Sequence, residues 1–165
     1  MNSDNIRFPD DILREIRNPE LVRQHIREGK SLKDIVGYSD EIMEHFYQTA
    51  CTLVKNKKYV EAQDAFLFLT TLDPYVYAYW LGLAMAYQVL EEYEQAILSY
   101  ECAAVLAPEI PVPHFYISGC HLRLRNKFDA QVSIGKAREK AEKSNEYADF
   151  MKEVVFAEER INRAK

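Results

Sequence analysis

The sequence predicts an all-α chain of tandem helical hairpins, and three observations carry that reading. Turn-forming residues are scarce: 5 Gly and 6 Pro in 165 residues are too few for the frequent turns of an all-β fold. The composition, 48% hydrophobic and 28% charged, is that of a globular chain long enough to bury a core. The third observation is an internal repeat. Pro74 and Pro108 lie 34 residues apart, and at the same step Phe46 meets Trp80, Ala50 meets Ala84, Tyr59 meets Tyr93, Ala62 meets Ala96 and Phe66 meets Tyr100.

A 34-residue period of large aromatics and alanines is the signature of the tetratricopeptide repeat, a pair of antiparallel helices, A and B. Alanines let helix axes approach; aromatics fill the space between successive pairs. A third, diverged copy continues the step, with Ala96 leading to Ala130, Ala103 to Ala137 and Leu83 to Ile117. In it His121 replaces Tyr87, Phe115 falls one residue late, and no proline closes the unit. One pair cannot bury its apolar face alone, so the pairs must stack.

Each element then has a local reason. Asn18-Pro19 reads as an N-cap with proline at the first helical position, and Gly29 can end that helix. Ser31 with Asp34 gives a weak capping pattern for a short helix stopped near Gly37. Ser39 caps helix 1A, about 40–55, and helix 1B follows at about 58–72. Helices 2A and 2B are expected at about 75–90 and 93–106, with Pro108 to Pro113 as a rigid connector. Helices 3A and 3B follow at about 112–125 and 127–143. Ser144-Asn145 caps a last helix to about 164, whose Phe150, Val154, Ala157 and Ile161 lie near one face and should cover the third repeat. The expected division is 1–38 as an N-terminal helical segment, 39–143 as three repeats (about 43–76, 77–110 and 111–144), and 145–165 as a C-terminal capping helix.

Several function classes find no support. A net charge of −5 argues against nucleic acid, which calls for clustered Lys and Arg. Cys51, Cys102 and Cys120 are odd in number and form no C-x-x-C pair, so a reducing compartment is the simplest expectation. Met1 to Pro9 lack the pattern of a signal peptide, and no apolar run is long enough to span a bilayer. The expected location is the cytoplasm. His25, His45, His114 and His121 form no metal-ligand pattern, and the glycines form no phosphate loop. Cys120 and His121 are adjacent, so on a helix they point about 100° apart and cannot pair as nucleophile and base. Glu91-Glu92 read as a solvated turn. No enzyme activity, metal or cofactor is expected.

The expected site is the concave groove lined by the A helices. Its candidate residues are Tyr47, Cys51, Val54 and Lys55 in repeat one, Ala78, Leu81, Met85 and Gln88 in repeat two, and Phe115, Gly119 and Leu122 in repeat three. This stripe is mainly apolar and suits an extended peptide with apolar anchors. The alternative is that these residues merely pack against their own protein. The Lys/Asn carboxylate clamp of tetratricopeptide domains that grip heat-shock chaperones is missing, since Tyr47, Cys51 and Gly82 stand at groove positions.

From Leu21 to Ile161 the chain resembles the class II chaperones of bacterial type III secretion, which hold translocator proteins. The resemblance is carried by Lys58-Tyr59-Val60-Glu61-Ala62, Leu72-Asp73, Leu81-Gly82-Leu83-Ala84, Tyr93-Glu94-Gln95-Ala96-Ile97 with Ser99-Tyr100, and the leader Glu28-Gly29-Lys30-Ser31-Leu32. It implies a non-enzymatic bacterial cytoplasmic chaperone that grips an extended N-terminal segment of a hydrophobic secreted translocator in its groove. Tyr47 matches an aromatic groove position of the family. Cys51 and Val54 stand where aromatics are frequent, which implies a shallower or differently shaped first pocket. The resemblance also implies dimerisation through N-terminal helices, here Ile12, Ile16, Leu21, Val22 and Ile26, with packing on repeat one as the alternative. A general tetratricopeptide scaffold is the competing reading of function.

Overall fold

The structure, a computed structural model, describes residues 18–164, and for Leu21, Val22 and Ile26 the backbone only. Within these residues all regular structure is helical. The order is α1 (Pro19–Arg27), α2 (Leu32–Val36), α3 (Asp40–Lys55), α4 (Tyr59–Leu72), α5 (Tyr77–Val89), α6 (Tyr93–Leu106), α7 (Val112–Arg123), α8 (Lys127–Ala141), a 3-10 turn (Asn145–Tyr147) and α9 (Ala148–Arg163).

The leader helices are set by their caps. The Asn18 side chain accepts the Glu20 N–H at 3.1 Å, consistent with the cap expected before Pro19. The pattern at Ser31 is a complete reciprocal capping box. Ser31 Oγ accepts from the Asp34 N–H, and Asp34 Oδ2 accepts from the Ser31 N–H at 3.0 Å. The Ser31 hydroxyl, donating to Asp34 Oδ2 at 2.8 Å, and then the Ser31 N–H hold the Asp34 carboxyl below its usual pKa. Gly37 then stops α2 with φ 72°, a conformation that costs glycine little. The candidate interface residues Ile12 and Ile16 lie outside the described residues. Leu21, Val22 and Ile26 fall on α1, where only the backbone is described.

Three hairpins, α3–α4, α5–α6 and α7–α8, stack in chain order, and α9 packs on α8. The alanines of the repeat are packed inside: Ala50, Ala62, Ala84, Ala96, Ala103, Ala130 and Ala137 are all 0% exposed, as small residues between close-packed helices should be. Phe66, Tyr100 and Ile134, one repeat apart from one to the next, fill the B-helix side of each unit. The third copy is therefore as regular in packing as the first two, although its sequence is the most diverged. The turns between A and B helices show the same step. Lys57, Glu91 and Arg125 each adopt the left-handed conformation, with φ of 59°, 63° and 58°. For non-glycine residues this costs about 1–2 kcal/mol each.

Two helix starts differ from expectation by more than one residue, for local reasons. Helix α5 begins at Tyr77 and not at Tyr75, because Asp73 Oδ1 accepts the Tyr75 N–H at 3.2 Å and holds a turn there. The Trp80 indole closes the same loop by donating to the Pro74 carbonyl at 2.8 Å. At the other end, Ser144 Oγ accepts the Glu146 N–H, so a 3-10 turn precedes α9. Val154 and Ile161 of α9 are buried against Ala130, Ile134 and Ala137, with Phe150 and Ala157 alongside. This helix caps the stack, as its apolar face predicts.

Candidate functional site

Tyr47, Cys51, Val54 and Lys55 project from one face of α3, and Ala78, Leu81 and Met85 from the facing side of α5. Together they line a cavity of about 280 Å³ that is almost wholly apolar. Phe66 of α4, missing from the sequence-based set, completes it, together with Gly82 of α5, which the sequence already placed at a groove position. A β-carbon at Gly82 would overlap the Phe66 ring, so the glycine is what lets α5 lie against that ring. Tyr47 stands edge-on to Phe66 with centroids 6.2 Å apart, and tilts against Tyr79 at 5.6 Å. Burial, and then the neighbouring Cys51 thiol, push the Tyr47 phenol above its ordinary pKa, so it stays neutral. Among the described residues, Lys55 is the single charged one on this lining.

The remaining candidates gather elsewhere. Gln88, Phe115, Gly119 and Leu122 line a second cavity, also of about 280 Å³. Its other walls are Tyr93, Tyr116, Ser118 and Arg123, together with Ala157, Arg160 and Ile161 of α9. Phe115 meets Phe150 edge-on at 5.2 Å, so part of its ring is spent on the capping helix. The α5 stripe runs through both cavities, with Ala78, Leu81 and Met85 in the first and Gln88 in the second. The expectation of one stripe along three A helices thus becomes two cavities joined by α5. The repeat register could have pointed to Phe66. The α9 residues could not be assigned from it, because that helix lies outside the repeat.

Other chemistry-bearing groups sit apart from these cavities or are spent on packing. A more polar cleft of about 620 Å³ lies between α6, α7 and α8 and mixes Glu101 and Asp129 with His114, His121 and Lys136. Burial, with Lys140 and Lys136 nearby, depresses His114 to about 4, so its imidazole is neutral at physiological pH. Burial pushes the Cys120 thiol up to about 11, which makes it a poor nucleophile. Among the described residues no three His, Cys, Asp or Glu side chains converge as a metal-ligand set. No helix there is long and apolar enough to cross a membrane.

No protein-family model matches the chain. Individual proteins do. The chain is 28% identical over 128 residues to the chaperone protein SicA of Salmonella typhimurium, covering 78% of each chain. Among solved structures it is similar to PcrH of Pseudomonas aeruginosa in complex with the chaperone-binding region of PopD. That match has 28% identity, a TM-score of 0.73, and coverage of 76% of this chain and 95% of the other. It is also similar to the Yersinia enterocolitica type III secretion chaperone SycD in complex with a peptide of the translocator YopD. Identity is 27% and the TM-score 0.71, covering 75% of this chain and 95% of that one. SycD has been solved as an alternative dimer as well. In sequence and in fold, the chain is similar to these chaperones, of which SycD is a type III secretion translocator chaperone.

Proposed function

We propose that this protein is a non-enzymatic cytoplasmic chaperone of bacterial type III secretion. It binds an extended segment near the N-terminus of a hydrophobic translocator and keeps that client soluble and unpartnered until export. The carrying observation is the apolar cavity between α3 and α5, in which Tyr47, Leu81 and Met85 line a space that the side chains of the described residues leave unfilled. Its relatives solved with PopD and YopD segments support the same reading. Each buried client anchor contributes roughly 1.5–3 kcal/mol, offset in part by ordering the peptide. Two or three anchors then give reversible binding. That suits a chaperone that must hand its client on.

Self-association through Ile12, Ile16, Leu21, Val22 and Ile26 belongs to this proposal, in keeping with the dimeric form of SycD. Leu81 is the residue on which the proposal is tested. Leu81→Glu places a charge in the apolar cavity, and the expected result is loss of client capture with helical circular dichroism unchanged. The partner recovered by the unaltered protein from its native host should be a secreted protein with membrane-seeking segments. Undiminished capture by the variant would show that clients do not use this cavity. Recovery of none but cytosolic complexes would favour a general scaffold.

A further inference from the structure

The two cavities differ in charge. Among the described residues, the first carries only Lys55 as a charged group on its rim. The second is bordered by two guanidinium groups, Arg123 from α7 and Arg160 from α9, and among the described residues no carboxylate is on its lining. Arg123 is already fixed, 3.1 Å from Glu91 and over the Tyr93 ring at 5.4 Å. Arg160 is exposed, and the acids beside it on α9 are committed elsewhere: Glu158 to Arg138 at 3.1 Å and Glu159 to Arg163 at 3.2 Å. Gln88 accepts the Tyr100 hydroxyl at 2.7 Å through its oxygen, which leaves its NH2 to donate. Between these groups lies Gly119, exposed, where an added β-carbon would meet nothing within 4 Å.

We propose that this second cavity recognises an acidic residue of the bound segment, placed next to an apolar anchor. The anchor enters the slot walled by Phe115 and Leu122, and the Asp or Glu beside it pairs with Arg160, with the Gln88 NH2 as a further donor. The inference rests on the groove reading above and adds the client's chemistry to it. The chain as a whole carries a net charge of −5, so a carboxylate meets general repulsion except at such a spot. A guanidinium against an apolar wall binds a carboxylate in a fixed, bidentate geometry and so sets which client residue sits where.

The test is selection of displayed random dodecapeptides on the full-length protein, followed by affinity measurement on the selected peptides. Peptides that bind the unaltered protein should pair an apolar residue with an Asp or Glu at a constant offset. Arg160→Glu should weaken those peptides about tenfold, and replacing their acid by Lys should restore binding to that variant. Gly119→Leu fills the slot and replaces a mid-helix glycine, so the fold stays intact while the acidic preference disappears. Peptides whose binding depends on Leu81 but which show no acidic enrichment would overturn this inference and leave the groove reading standing. So would affinities unchanged by Arg160→Glu. Selected peptides indifferent to Leu81→Glu would overturn both.

Discussion

His114 illustrates how a single buried group ties stability to pH. It is half-buried, with Lys136 and Lys140 nearby, and holds its proton only below about 4. In the unfolded chain an imidazole titrates near its ordinary value of about 6.5. The unfolded state therefore binds more protons between those two values, and folding stability falls as pH drops through that window. His114→Gln removes this contribution. The expected outcome is a smaller loss of urea midpoint between pH 7 and pH 5 for the variant than for the unaltered protein. An equal loss in both would show that His114 does not titrate abnormally. Cys120 carries a related lesson. Its adjacency to His121 in sequence looks like chemistry, yet it is fully buried and its thiol is pushed up to about 11. Its role is packing, beside Ala84, Ala96 and Tyr100.

At the level of the helix, the groove depends on how closely α5 approaches α4. Gly82 against Phe66 sets that distance. Gly82→Ala gains helix propensity but forces the ring to move. Overpacking costs about 1–3 kcal/mol, against roughly 0.5–1 kcal/mol recovered from replacing glycine. The expected net is a destabilisation of up to about 2.5 kcal/mol, read as a lower urea midpoint. Adding Phe66→Leu should recover part of it, because the smaller side chain makes room. Full stability in the single variant would mean that α5 can shift without cost. The turns follow another rule of the element. Lys57, Glu91 and Arg125 hold left-handed backbone without glycine, so the usual residue signal for such a turn is absent. Their common register with the repeat is the trace that remains in the sequence.

Across the whole molecule, α9 does for the third hairpin what each hairpin does for the one before it. It buries Val154 and Ile161 against Ala130, Ile134 and Ala137. Side chains of this size contribute roughly 1.5–3 kcal/mol each when buried. A chain truncated after Ser144 is expected to melt at least about 5 °C lower. It should also bind a hydrophobic dye, because the face of α8 is uncovered. An unchanged melting temperature would show that α9 contributes nothing to the stack. The same helix supplies one wall of the second cavity, so truncation should also abolish any preference for acidic peptides.

The stack of helix pairs was legible in the residues themselves. Ala50 and Ala84, or Phe66 and Tyr100, recur at a fixed step because each position meets the same neighbour in every unit, and that neighbour dictates size. The first-cavity set, Tyr47 through Met85, was legible for the same reason: helical spacing places those residues on one face. The partition of the stripe was not. Whether Phe115 faces open space or Phe150, and whether Arg160 lines the same cavity as Gly119, depend on how α9 returns across the end of the stack. Such a return joins residues far apart in the chain, outside any period, so only the packed tertiary structure decides it.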